Sequence, residues 1–435
     1  MREKRLSLLV SSLLLVALSP AHADDARIAA LEARIAALEA QLRAAAPAAP
    51  VSAPAPTPGA TAAAAPEPIQ QTTLTPSAVP GTKFFVSGFV KLDAMSTHTG
   101  DGELADGGIA RDLYVPGLIP IGGRSEASDI DSHLKFSRLI FGTDGVSNGH
   151  SVQTRIEADF FGNGLGDERF NNASGLVVRH AFVNVDNRWL FGQTWTTFMD
   201  AATLPESTDL IGPTDGTVFV REPQVRYTHG PWMFALENPE TTLTPRGGGA
   251  RISTDDSSVP DLVVRYNGKI GTGTFGVAGL LRQLRFEADG RSDDTVGAGI
   301  SVFGKVPIGS DDVRFAVTAG QGISRYLALN ANNDGVLNAR GEIDTVDGVF
   351  GYVAYRHLFT PALRGSVFYA RGEYDSPVGG GLLQTRSTQS FHVNLFYSPL
   401  PKWDIGAELF YADREIESGA SGDLWRLHTT VKYAF

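Results

Sequence analysis

No cysteine occurs anywhere in the chain, so a disulfide framework, a thiolate metal site and a thiol nucleophile are all excluded. Long apolar runs are scarce too. One of them, Leu6 to Leu18, follows the basic residues Arg2, Lys4 and Arg5 and precedes Ala21-His22-Ala23, a small-x-small cleavage pattern. It is too short to span a bilayer, which takes about 20 residues, and every later stretch of that length is interrupted by charge or glycine. This predicts a secretory signal peptide over residues 1–23 and no transmembrane helix after it. Positive charge is not in excess. The formal net charge is -11, and removing Arg2, Glu3, Lys4 and Arg5 (net +2) takes it to -13, which argues against nucleic acid as a partner. Signatures of catalysis are missing as well: no HExxH, GxSxG or P-loop is present. The expectation is a chain without catalytic residues, cofactor or metal.

What the chain does have is glycine, 48 residues of it, and a hydropathy that averages out near neutral. A transmembrane barrel has this mean, because lipid-facing and lumen-facing residues alternate along each strand. The last eleven residues show the alternation directly. Trp425, Leu427, Thr429, Val431, Tyr433 and Phe435 share one parity; Arg426, His428, Thr430, Lys432 and Ala434 share the other. In VQTRIEADFF, Val152, Ile156 and Phe160 oppose Gln153, Arg155, Glu157 and Asp159. Phe391, Val393, Leu395 and Tyr397 oppose His392 and Asn394. Candidate strands begin near Phe84, His133, Val152, Leu176, Trp189, Val218, Met233, Asp261, Thr274, Thr295, Asp312, Asp347, Leu363, Thr388, Trp403 and Leu424. That is an even number, as bacterial outer-membrane barrels require. Short turns at Asp144-Gly145, Asp186-Asn187, Gly230-Pro231, Pro307-Ile308-Gly309, Thr360-Pro361 and Ser398 to Pro401 alternate with long connections at 97–132, 197–217, 240–260 and 324–346. A closed barrel of this many strands has too wide a lumen to fill with apolar side chains, so the apolar parity must face lipid. Closure then needs the last strand to pair with the first, leaving no edge.

Ahead of the strands lie two other segments. Residues 24–46 hold heptads, with Ile28, Leu31, Ile35, Leu38 and Leu42 at a and d, Arg27 and Arg34 at g, and Glu32 and Glu39 at e. This predicts an oligomerisation coiled coil; Ile at a with Leu at d leans towards dimers. Residues 47–82 are rich in Ala, Pro and Thr with almost no charge and form a semi-rigid spacer. The fold expected overall is all-β: a 16-stranded antiparallel transmembrane β-barrel over 83–435, preceded by a short N-terminal coiled-coil helix.

GQTWTTFMD (Gly192 to Asp200), REPQVRYT (Arg221 to Thr228), ALENPET (Ala235 to Thr241), PDLVVRYNG (Pro260 to Gly268), GQGISRYL (Gly320 to Leu327) and the closing KYAF together resemble the DcaP-like porins. That resemblance implies a trimeric channel in the outer membrane, in contact with its lipid. It also implies a periplasmic coiled coil and a preference for small anionic solutes such as dicarboxylates. In porins a loop placed like 197–217 folds into the lumen, which makes Asp200, Glu206 and Asp209 candidates for a constriction. Rings of arginine or lysine select anions, and the guanidinium fork matches a carboxylate. Candidates at inward parity are Lys91, Arg155, Arg179, Arg265, Arg282 and Arg426. Arg221 and Arg226 share a strand at opposite parity, so one faces lipid or sits near a strand end. A general non-specific porin and a structural tether with a plugged barrel stay open as alternatives. Asn330 to Asn338 has the oxygen spacing of a calcium loop, but Gly341 stands where a bidentate glutamate belongs; a polar turn-rich loop is the better reading.

Overall fold

The computed structural model of the chain describes residues 77–435 apart from 124, 163, 165–170 and 289. The signal peptide, the heptads with Ile28, Leu31, Ile35, Leu38 and Leu42, and the spacer up to residue 76 lie outside the described residues. No described helix is long and apolar enough to cross a membrane.

The strands close on themselves. Lys83–Thr99 pairs on one side with Ser421–Ala434, Phe89 opposite Ala434 and Thr99 opposite Leu424. On its other side it pairs with Ala127–His133 and, lower down, with Arg138–Ser147. Those two segments are pieces of one stave, broken at Leu134 to Ser137. Counted so, the 17 strands of the main sheet make 16 staves, all antiparallel to their neighbours. The Ser137 hydroxyl mends the break: it accepts from the Lys91 amide (3.0 Å) and donates to the Lys91 carbonyl (3.3 Å).

Alternation sets the two surfaces. Along Thr385–Tyr397, Phe391, Val393, Leu395 and Tyr397 are exposed while His392 and Asn394 are buried. Along Ser421–Ala434, Trp425, Leu427, Val431 and Tyr433 are exposed and Arg426, His428 and Thr430 are buried. An outer surface this apolar belongs in lipid, where a closed barrel is one of only two folds that satisfy every backbone group. Trp189, Phe191 and Tyr227, and at another point Trp403 and Tyr433, pack against one another on this surface close to short turns, the placement of an interfacial aromatic girdle.

Two expected turns move. Asp144 and Gly145 lie within the ladder, opposite Gln153 and Val152. The chain turns instead at Asn148-Gly149, both at positive φ (50° and 84°), because a two-residue hairpin wants left-handed backbone that Asn and Gly adopt most readily. Likewise Ile308 pairs with Asp311, so Gly309-Ser310 forms the turn and Pro307 stays in the strand.

The lumen is less watery than the strand count implied. Inward Val263, Ala278, Leu280, Phe303, Phe350 and Tyr352 pack against Phe198, Val218, Ile323, Tyr326 and Leu327, which come from two infolded loops. A four-stranded minor sheet (Thr241–Thr244, Ile252–Thr254, Gly335–Leu337, Ile343–Thr345) caps one side of the interior.

Candidate functional site

The loop 196–220 folds inward and is held like a belt round part of the inner wall. Its start is gripped by two inward side chains. Glu237 accepts from the Thr196 hydroxyl and the Thr197 amide, both at 2.6 Å, and Arg226 donates to the Thr197 hydroxyl (2.8 Å) and the Trp195 carbonyl (2.6 Å). Arg265 then binds the Met199 carbonyl and the Asp200 carboxylate. The Tyr352 hydroxyl meets that of Thr203 at 3.1 Å, and Arg314 donates to the Leu204 carbonyl. Glu206 makes a two-pronged ion pair with Arg364, 2.6 and 2.7 Å. Glu408 accepts from the Ser207 hydroxyl (2.9 Å) and the Thr208 amide (3.0 Å), and Lys91 donates to the Thr208 carbonyl (2.7 Å). Coming back, the belt presses so close to the wall that a Cβ on Gly216 would lie 2.0 Å from the Gly351 carbonyl oxygen; only glycine fits there.

The other infolded loops lock onto the belt. From 100–126, the Tyr114 amide donates to Asp209 (2.9 Å) and its hydroxyl to Asp215 (2.8 Å). Burial pushes the Asp215 carboxyl up and, with Asp215 beside it, raises the Tyr114 phenol well above its ordinary value. From 322–346, the Phe219 amide donates to the Tyr326 carbonyl (2.9 Å). Arg325 reaches Glu222 and Asp261. Burial works against the Arg325 charge, but Tyr326, Glu222, Asp261 and Asp334 outweigh it and raise its pKa.

The candidate cations therefore divide. Lys91, Arg226 and Arg265 face inward and fasten the belt. Arg426, with none of its surface exposed, donates to the Thr97 hydroxyl and the Ala110 carbonyl and so holds the 100–126 loop. Arg282 reaches Asp334 (3.0 Å), Asp261 (3.3 Å) and the carbonyls of Gly322 and Glu240. Asp334, the acidic residue of the calcium-like stretch, is fully engaged by Arg282, the Thr242 amide and hydroxyl, and the Arg325 amide. Asp200, Glu206 and Asp209 are likewise bound, to Arg265, Arg364 and Tyr114.

Losing Arg282 leaves a buried carboxylate pair without its main cation, a defect of about 3–5 kcal/mol. Arg282→Met is expected to release the 322–346 loop while the staves stay paired. Trypsin should then cut after Arg325, which is buried in the parent protein; full resistance at that bond would show that the loop does not depend on this clamp.

Arg155, Arg179 and Arg221 are arranged differently. Arg155 pairs with Glu157 (2.6 Å) while 40 % of its side chain stays exposed inside the barrel. Arg179 bonds Glu157 (3.2 Å) and Asp159 (2.8 Å). It points inward as the extra residue of a β-bulge, since Glu157 pairs with His180 and Ala158 with Val178. Arg221 begins its strand, Arg221–His229, and lies over Trp195 and Phe219 with ring-centroid distances of 5.0 and 6.0 Å. The strand-end position thus belongs to Arg221, and Arg226 is inward by ordinary parity. A fourth cation, Arg138, bonds Glu157 at 3.0 Å. The sequence did carry its signal, since it opposes outward Leu139 and Phe141, but the inward Ile140 between two apolar neighbours hid the alternation. Among the described residues, four guanidiniums against two carboxylates leave this patch with two positive charges in excess. Arg221 Nη1 and Arg138 Nε are buried without a hydrogen-bond partner among the described residues, and the accessible donors of the patch are those of Arg155. It occupies staves from Arg138 to Arg221, whereas the belt beyond Trp195 and Thr197 is fastened to staves from Asp261 round to Lys91. Sequence parity could not separate clamps from free cations, because the partners of the clamps are loop atoms.

The family model described as DcaP outer membrane protein matches residues 108–435. Among solved structures, the outer membrane channel DcaP of Acinetobacter baumannii superposes with a TM-score of 0.67 at 22% identity, covering 82% of this chain and 98% of that one. The in-vitro folded trimer form of OmpT of Vibrio cholerae gives 0.50 at 12% identity, covering 81% and 99%. Both likenesses concern the fold. No curated protein matches the chain in sequence.

Proposed function

This chain belongs to the DcaP outer membrane protein family, and from that premise we propose that it is an outer-membrane diffusion channel selecting small anionic solutes, dicarboxylates among them. The observation that carries the reading is the patch of Arg138, Arg155, Arg179 and Arg221 around Glu157 and Asp159, positively charged in sum and in part exposed within the barrel. A carboxylate entering it meets guanidinium forks. Conduction needs binding strong enough to admit the solute and weak enough to release it, and cations already half-satisfied by Glu157 and Asp159 meet that condition. The working unit on this reading is a homotrimer, joined in the periplasm by the heptads carrying Ile28, Leu31, Ile35, Leu38 and Leu42. Arg155 favours a channel over a plugged tether, since a plug has no use for an exposed cation inside the wall.

The test is the reversal potential in a planar bilayer under a salt gradient, with and without an added dicarboxylate. Expected are an anion-selective potential, current lost in three steps at high voltage, and lower chloride current in the presence of the dicarboxylate. Cation selectivity would refute the solute class, single-step closure the trimer, and absence of conductance would leave the tether.

A further inference from the structure

A second positive excess lies on the opposite wall, close to the short turns. Lys305, Arg314 and Arg356 stand on three consecutive staves, Arg291–Ile308, Asp311–Gln321 and Asp347–Thr360. Lys305 is directly opposite Arg314 in the ladder, and Arg356 directly opposite Asp312, so all four side chains share the inward face. Asp312, 2% exposed, is the one carboxylate among them. It pairs with Arg314 at 2.6 Å, Arg356 at 2.8 Å and Lys305 at 3.8 Å. Three cations on one carboxylate leave two positive charges over, as in the Arg138–Arg221 patch.

The surrounding groups do not cancel this excess. Asp311 is nearest in sequence, but it belongs to the opposite parity, where it is bound by Tyr355 and His357. Further round the wall, Arg364 and Lys432 are balanced by Glu206 and Asp404. Arg314 is committed on two sides, to Asp312 and to the belt carbonyl of Leu204. Lys305 and Arg356 keep free donors: their side chains are 36% and 27% exposed. Like charges directly across a ladder, as Lys305 and Arg314 are, destabilise a sheet, and a visiting anion removes that cost.

We propose that Lys305 and Arg356, positioned by Asp312, form a second anion-holding station at the short-turn mouth of the barrel, suited to a small dicarboxylate. This rests on the anion-channel reading and extends it. A solute leaving the Arg155 side of the belt is taken up by an equal charge excess near the other mouth. Two weak stations in series pass a dianion faster than one strong one, because neither has to release it into a charge-free stretch.

The experiment uses the full-length channel inserted from one chamber, so that its orientation is uniform, with succinate added to one side at a time and block of chloride current as the readout. Lys305→Gln combined with Arg356→Gln is expected to raise the half-blocking succinate concentration on the short-turn side at least about fivefold. Block from the long-loop side should stay within about twofold of the parent value, being set by the other patch. Asp312→Asn raises the excess by one charge and should shift short-turn block the opposite way, towards lower succinate, which a loss of folding would not do. Unchanged short-turn block in the double variant, or weaker block in Asp312→Asn, would overturn the station while leaving anion selectivity intact. A parent channel without anion preference would overturn the anion reading and the station together.

Discussion

Replacing Arg155 and Arg221 together by glutamine is expected to weaken the anion preference of the channel about tenfold. The two substitutions take the patch from four guanidiniums to two, set against Glu157 and Asp159, so its excess falls from two positive charges to none. A unit charge about 4 Å from a permeating ion is worth roughly 1 kcal/mol even in bulk water and more beside a low-dielectric wall. Two of them correspond to a drop of tenfold or more in the anion-to-cation permeability ratio. Among the described residues neither makes a hydrogen bond to a loop: Arg155 bonds Glu157, and Arg221 lies over Trp195 and Phe219, so the barrel should fold and conduct. The reversal potential under a potassium chloride gradient reads the result. A ratio within about twofold of the parent would mean that selectivity resides elsewhere on the wall.

Glu408→Leu is expected to free the belt from the inner wall. The Glu408 carboxylate is fully buried and accepts four hydrogen bonds: from the Ser207 hydroxyl, the Thr208 amide, the His392 ring (2.8 Å) and the Asn394 amide (3.0 Å). Leucine removes every acceptor and leaves buried donors unpaired, at about 1–3 kcal/mol each where water cannot reach them. The neighbouring grip, Lys91 on the Thr208 carbonyl, depends in turn on Asp93 (2.6 Å) and cannot hold the segment alone. Amide exchange over Ser207 to Ile211 should accelerate on the order of a hundredfold, and the single-channel current should become larger and noisier. The staves themselves should keep their protection, because ladder hydrogen bonds do not pass through Glu408. Parent-like exchange in that segment would show that the other fastenings suffice.

The barrel was legible from residues because its information is local. Each strand states its own alternation, and Phe391 to Tyr397 or Trp425 to Tyr433 can be assigned to an outer face without knowing any partner. Where the reading slipped, a second requirement competed. Asp144-Gly145 is a good turn dipeptide by composition, yet Asn148-Gly149 satisfies the left-handed backbone better and keeps the ladder four residues longer. Arg179 was expected to face inward and does, though by way of a bulge that no spacing announces. Leu280, Phe303 and Phe350 face a lumen expected to be watery and are apolar because two infolded loops pack against them.

Charge followed the same division. Parity placed Arg265, Arg282 and Arg426 on the inner face, and that is where they are, but parity says nothing about what a side chain meets there. Asp200 sits 65 residues from Arg265, Glu206 158 residues from Arg364, and Ala110 316 residues from Arg426. Such pairings arise only when closure of the sheet brings distant staves round a common axis and the loops fold back between them. The amino-acid order by itself determined the number of staves, the face most side chains take, the length asymmetry of the connections and the family. Tertiary structure decided which inward cations are bound by loop carbonyls and carboxylates and which remain free to meet a solute, because alternation is a property of one strand and neutralisation a property of everything that strand encloses.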